Sequence, residues 1–152
     1  MLMNHPGEVC RPLRAPRARL THRVFKMQVA GRSVNCRYTE ANLASMMSSR
    51  VDSTRAVGLA IAAAAQPPRV WLQMSTATIY SHRFDAPNDE ATGHIGGEEP
   101  DVPPYWKFSV DIAKAWERAQ AEAPTPRTRK VALRAAMIMS PDRGGSFLCC
   151  WV

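Results

Sequence analysis

The sequence predicts an α/β fold in which parallel strands are joined by helices. Segments with helical spacing of apolar residues alternate with short apolar segments of strand character, in the order helix, strand, long loop, helix, strand. Such alternation is typical of parallel strands connected by right-handed crossovers. The chain has 152 residues, of which 45% are hydrophobic, and this is enough for one globular core.

The first predicted helix spans about residues 40–65. Thr39 can cap it, and its apolar positions recur three, four or six residues apart before Pro67 and Pro68 end it. A short apolar segment, residues 70–74, follows and predicts a buried strand.

A long loop separates this strand from the second helix. Residues 81–104 are rich in proline, glycine and acidic residues, which is typical of a surface segment, and long ordered loops tend to be functional. The second helix is predicted over about 106–123, where Pro124 stops it, and a second strand over 130–139. A turn at 140–145 follows.

The net charge of +7 is concentrated near the start of the chain. The first 37 residues hold eight Lys and Arg against the single acid Glu8, and the remainder holds twelve of each sign. A basic nucleic-acid-binding arm is one interpretation, but prolines interrupt the segment and no aromatic residue interleaves its arginines before Phe25. We therefore do not expect a nucleic-acid partner, although the hypothesis is retained as a third alternative.

Other site classes find little support in the sequence. The four cysteines form neither a disulfide framework nor a CxxC motif, so a reduced cytoplasmic chain is expected. The four histidines lack zinc-binding spacing, and no metal site is predicted. The run from Val57 to Ala65 is too short to span a bilayer, so no membrane association is expected.

Six short motifs resemble the NAD-dependent epimerase/dehydratase-like branch of the extended, atypical short-chain dehydrogenase/reductase superfamily. The resemblance covers about residues 29–146. The motifs are Ala30-Gly31-Arg32-Ser33-Val34-Asn35, Ser75-Thr76-Ala77-Thr78-Ile79-Tyr80, Asn88-Asp89-Glu90, Ile95-Gly96-Gly97, Lys114-Ala115-Trp116-Glu117 and Ser140-Pro141-Asp142-Arg143-Gly144-Gly145.

This resemblance implies a partial Rossmann-like, doubly wound parallel sheet that binds NAD or NADP. Family members begin with a glycine-rich turn that cradles the cofactor pyrophosphate, and no GxGxxG is present here. We therefore expect a family fragment lacking the first dinucleotide-binding βαβ unit. Residues 1–28 would be a non-family leader, disordered or misassigned, and 147–152 a non-family tail. Such a chain alone would bind no dinucleotide.

The resemblance also implies roles for individual residues. Thr76, its neighbour Ser75 and Tyr80 match the catalytic turn, where a hydroxyl contacts the substrate and a tyrosine moves a proton. Thr76 could equally satisfy nearby backbone groups at the strand end. The remaining expected contacts are Ala30, Gly31, Arg32 and Lys114 with the cofactor, and Arg143 with an anionic group of the substrate.

The usual Tyr-Lys pair of the superfamily is missing. Residues 42, 84 and 109, four positions after the three tyrosines, are Asn, Phe and Ser, so the general base is unnamed, with His82 and His94 as weaker candidates. The leading hypothesis is a fragment of an NAD(P)-dependent epimerase-like oxidoreductase for a small sugar-like or other hydroxyl or carbonyl substrate, inactive as this chain. The alternative is a non-catalytic binding or regulatory module.

Overall fold

The computed structural model describes residues 25–28 and 30–136, which contain three strands and two long helices. In chain order these are β1 (Phe25–Gln28), α1 (Glu40–Ala62), β2 (Val70–Thr76), α2 (Pro104–Ala121) and β3 (Arg129–Ala135), with a single 3-10 turn (Ala77–Ile79) after β2. The predicted α/β class is confirmed.

The observed boundaries lie close to those predicted. The α1 helix begins after Thr39, whose side chain accepts a hydrogen bond from the Asn42 backbone, and it ends three residues earlier than expected. The α2 helix begins at Pro104, because proline suits the first turn of a helix, where its missing N–H is not needed. β3 ends at Ala135, and the predicted turn at 140–145 lies outside the described residues.

The prediction placed residues 25–28 in a leader, but they form β1, which pairs in parallel with β2. The expected boundary at residue 29 is therefore too late for the sheet. The segment is basic, but in it Phe25 and Met27 alternate with polar residues, which is typical of a strand. Residues 1–24 lie outside the described part of the chain.

The three strands form a parallel sheet in the order β1-β2-β3. Alternate residues of β2 point towards the helices: Gln73 contacts Thr54 of α1, and Ser75 contacts Glu117 of α2. Both helices therefore pack on one face of the sheet and against each other, as right-handed crossovers in one direction require.

The core between helices and sheet includes a polar chain of side chains. Trp116 donates from Nε1 to Thr54 Oγ1 at 3.0 Å, and this hydroxyl lies 3.4 Å from Gln73 Oε1. All three residues are buried, together with Trp71 and Met46. Paired polar groups of this kind fix the register between α1, α2 and the sheet.

The long loop between β2 and α2 folds back on the end of β2. Tyr80 forms an antiparallel bridge with Ile95, the Gly96 N–H donates to the Ile79 carbonyl, and Gly97 adopts φ +95°, which favours glycine. Neither helix of the described residues has the length and apolarity needed to cross a membrane.

Candidate functional site

The candidate site lies at the carboxyl edge of the sheet, where the three parallel strands end. Open α/β folds bind their ligands at this edge. The segment that follows β1, the turn that follows β2 and the last residues of β3 all lie there, so the fold brings together residues far apart in sequence.

The loop that follows β1 is exposed, and Arg32 makes three hydrogen bonds from it to α1. Residues 30–35 are all solvent-exposed. The Arg32 backbone N–H donates to Ser49 Oγ at 3.0 Å, and its guanidinium donates to Ser45 Oγ and Asn42 Oδ1 at 3.0 and 2.9 Å. The predicted cofactor residues Ala30, Gly31 and Arg32 thus lie together at the sheet edge.

Ser75 is part of an ionic cluster beneath this edge. Its Oγ donates to Glu117 Oε1 at 2.5 Å, and the Glu117 carboxylate accepts two hydrogen bonds from Arg134 of β3, at 2.9 and 2.8 Å. Burial raises the pKa of Glu117, but the hydrogen bonds from Arg134 and Ser75 outweigh it, so the pKa lies below its ordinary value. The same pairing raises the pKa of Arg134. Glu117 is therefore a fixed carboxylate anion.

Tyr80 joins the same cluster from the other side of Arg134. The guanidinium donates from Nη1 to the Tyr80 hydroxyl at 2.8 Å, and its central carbon lies 4.9 Å from the centre of the Tyr80 ring. Because the phenol oxygen accepts this hydrogen bond, its own proton remains free to be donated elsewhere. The structure therefore connects two of the predicted catalytic residues, Ser75 and Tyr80, through Glu117 and Arg134.

Thr76, the third predicted catalytic residue, lies at the end of β2 outside this cluster. Its Oγ1 accepts from the Thr78 backbone N–H at 3.2 Å and donates to Thr78 Oγ1 at 2.9 Å. It thereby caps the 3-10 turn. Its hydroxyl is only partly buried, so its contact with a substrate stays a prediction.

Lys114 faces the loop between β2 and α2. A Cβ atom added to Gly97 would lie 3.6 Å from its Nζ. The carboxylate of Glu99 accepts a hydrogen bond of 2.5 Å from the Gly97 backbone, and the charge of Lys114 contributes to the lowered pKa of Glu99 after its backbone hydrogen bonds. Lys114 is thus on the underside of the loop, and its expected cofactor contact remains untested.

The remaining predicted residues, His82, His94 and Arg143, are not part of this cluster in the described structure. The ring of His82 makes a T-shaped contact with the ring of Phe84. His82 and His94 are both exposed. Arg143 lies outside the described residues. Within residues 25–28 and 30–136 no three His, Cys, Asp or Glu side chains are grouped to hold a metal.

Sequence reasoning missed the residue that joins the cluster. The motif Lys114-Ala115-Trp116-Glu117 includes Glu117 without a chemical role, and none of the six motifs includes Arg134. The available signal was an arginine inside a strand, with small or apolar residues at 131–133 before it and at 135 after it. A charged residue inside a strand predicts a partner on the helix that covers it.

Two curated proteins are similar in sequence to this chain, while no family model matches it. The epimerase family protein SDR39U1 of Bos taurus is 30% identical over 109 residues, and that of Homo sapiens is 28% identical over 109 residues. Each alignment covers 72% of this chain, but the chain spans only about a third of the length of these relatives, 33% in both cases.

Two solved structures share the fold. The human epimerase family protein SDR39U1 (isoform 2), crystallised with NADPH, matches with a TM-score of 0.72 at 24% identity, covering 89% of this chain and 43% of that one. The nucleoside-diphosphate sugar epimerase from Corynebacterium glutamicum matches with a TM-score of 0.59 at 20% identity, covering 83% and 24%. The described strands and helices therefore share the Rossmann-like fold of these structures.

Proposed function

Since the chain belongs to the NAD-dependent epimerase-like branch of the short-chain dehydrogenase/reductase superfamily, we propose that it contributes the substrate side of an NAD(P)-dependent site. The substrate would be a small molecule with a hydroxyl or carbonyl group, such as a sugar derivative. A solved relative contains NADPH, which supports the use of this cofactor class in the intact family. The cofactor would supply hydride transfer, and the protein would position and polarise the substrate.

The observation that carries this proposal is the connection of Ser75 and Tyr80 through one ion pair at the ligand-binding edge of the sheet. The Ser75 hydroxyl donates its hydrogen bond to Glu117, so its oxygen is left to accept a hydrogen bond from a ligand hydroxyl. Tyr80 has the complementary property, since its oxygen accepts from Arg134 and its proton can be donated. The two residues would therefore position the oxygen of an alcohol or carbonyl group, and Tyr80 would donate a proton to a carbonyl oxygen as it is reduced.

The residues at this edge fit one part of a dinucleotide. Residues 30–35 are exposed, so a ribose or a nicotinamide ring could approach this loop from solvent, while Gly31 packs against the side chain of Arg50. We place Ala30, Gly31 and Arg32 on the cofactor side, with Lys114 a further contact and Arg143 a contact to the substrate.

We further propose that this chain alone holds NAD(P) only weakly. Its sequence has no GxGxxG turn, and such a turn supplies the aligned N–H donors that bind a pyrophosphate. Calorimetry with NADH and NADPH tests this directly, and saturable binding at micromolar concentration would contradict it.

The alternative is a binding module without catalysis. It draws support from the missing Tyr-Lys pair and from Thr76, whose hydroxyl already serves the backbone. The two functions differ in their outcome with a labelled cofactor, because only an enzyme transfers hydride.

The deciding experiment uses NADPH deuterated at C4 with a panel of sugar nucleotides and small carbonyl compounds. It compares the 152-residue chain with the same residues joined to the flanking segments of the human relative. Deuterium in a product supports the proposal, and binding without transfer in the joined protein supports the alternative. In an active joined protein, Thr76→Val should lower the rate about ten- to hundredfold and leave cofactor binding unchanged. An unchanged rate would leave Thr76 as a backbone cap only.

A further inference from the structure

The two faces of the sheet differ in how they are covered. On β2, the residues on the side of α1 and α2 are buried, namely Trp71, Gln73 and Ser75. The residues between them lie on the opposite side, because side chains alternate along a strand, and they are half-buried. Neither long helix of the described residues packs on that side.

The uncovered side carries a continuous group of apolar side chains, which we call the open face. The parallel register pairs Leu72 with Val131 and Met74 with Leu133. The open face consists of six half-buried residues on two neighbouring strands: Val70, Leu72, Met74, Val131, Leu133 and Ala135. Arg129 and Thr76 lie only at its two ends. A central strand that is apolar on both sides is typical of a sheet covered on both faces, so the open face is suited to an apolar segment.

The chain contains an apolar segment beyond its described residues. Residues 147–152 are Phe, Leu, Cys, Cys, Trp and Val, six consecutive apolar residues without a charge or a proline. A segment of this composition is prone to aggregate in water unless another surface covers it. Burial of the segment against the open face would remove both apolar surfaces from water.

The connection between β3 and this segment is long enough to reach the open face. β3 ends at Ala135, at the carboxyl edge of the sheet, and residues 136–146 follow it. These eleven residues span up to about 36 Å when extended. The seven residues of β2 are about 23 Å long, so every part of the open face is within reach. The turn predicted at 140–145 favours a reversal of the chain direction.

We propose that residues 147–152 dock on the open face of the sheet and cover its apolar side chains. Because the segment is tethered to β3, its effective concentration at this face is about millimolar. A second copy of the chain in dilute solution is far less concentrated, so the tethered segment is favoured over an association between two open faces. The docking makes no use of the cofactor or the substrate of the proposed function.

Disulfide cross-linking tests where the segment lies. Val131→Cys, in a chain with Cys10→Ser and Cys36→Ser, leaves the two adjacent cysteines of residues 147–152 as its only partners. After oxidation of a dilute sample, we expect a disulfide within one molecule, identified by peptide mass spectrometry, because this bond requires Cα atoms within about 7 Å. Ala132→Cys is the matched control. It is the next residue of β3, exposed but on the side of the helices, and should stay unlinked.

The cross-linking has two results that would overturn the docking. One is equal linking in the two variants, or none in Val131→Cys, which nearly conserves the volume of the side chain and so keeps the fold. The other is a disulfide that forms only between two molecules of Val131→Cys, since this would assign the open face to a second copy.

Stability gives a second readout without changing any described residue. In Phe147→Gln with Trp151→Gln, we expect the melting temperature to fall by about 3 °C or more. The fluorescence of ANS, a dye that binds exposed apolar surface, should rise. Leu59→Gln, at a 66% exposed position of α1, is the control and should melt within about 1 °C of the parent. Melting and dye binding like those of the parent in the double variant would also overturn the docking.

Discussion

Glu117 on α2 and Arg134 on β3 form a two-pronged ion pair, with N–O distances of 2.9 and 2.8 Å, beneath the carboxyl edge of the sheet. Each partner also binds a predicted site residue, Ser75 in one case and Tyr80 in the other. This pair therefore couples the packing of the second crossover to the geometry of the candidate site.

Replacing the carboxylate should destabilise the fold. Glu117→Gln keeps the volume of the side chain but loses one acceptor and the charge that Arg134 requires, and we expect a loss of about 1 to 3 kcal/mol in the free energy of unfolding. Urea denaturation measures it. The exposed Lys107–Asp111 pair, 3.5 Å apart, provides the control, since Asp111→Asn should cost under about 0.5 kcal/mol. Equal losses in the two variants would show that the part-buried Glu117–Arg134 pair stabilises the fold no more than an exposed pair does.

The same pair predicts the sign of the pH dependence. The pKa of Glu117 is lower in the folded chain than its ordinary value of 4.5, so its stabilising contribution is present above about pH 4.5 and is lost as the pH falls through the folded pKa. The stability difference between the parent and Glu117→Gln should be constant from pH 7 to 5 and shrink below that. A difference that grows on acidification would contradict this assignment.

Replacing Gly58 with a larger residue should destabilise the fold, although glycine is unfavourable inside a helix. An added Cβ would lie 2.9 Å from the Cβ of Ala123 and 3.4 Å from the Trp71 ring. Gly58→Ala should therefore destabilise the chain by about 1 to 3 kcal/mol through overpacking, instead of stabilising it through helix propensity. Thermal melting decides the sign. Ala60→Ser, at an exposed position of the same helix, should change stability by less than about 0.5 kcal/mol.

The buried bond between Trp116 and Thr54 should be revealed by a double-mutant cycle. Thr54→Val removes the acceptor of the indole N–H and should cost about 1 to 3 kcal/mol. Once Trp116→Phe has removed the donor, the same change should cost less. Additive losses in the double variant would mean that the bond contributes nothing of its own.

Local sequence signals are enough to predict the order and type of most helices and strands. Thr39 marked the start of α1, Pro67 and Pro68 its end, and Pro124 the end of α2, because caps and prolines act through local backbone geometry. Local signals also placed residues 70–74 in a strand, two residues short of its observed end at Thr76. They did not recover β1, because four residues are too few for a period to be distinguished in a basic segment.

Which side chains contact each other at the site depends on the packing of the folded chain. Ser75 and Glu117 are 42 residues apart, and Tyr80 and Arg134 are 54 apart, so no local pattern could pair them. Their contact depends on the parallel register of β2 and β3 and on the crossover of α2 over both strands. In the sequence, Arg50 has the pattern of an ordinary exposed helix arginine. In the fold, Gly31 and Trp116 pack against its side chain and leave it half-buried. Sequence patterns could not predict this, because burial is a property of the assembled fold.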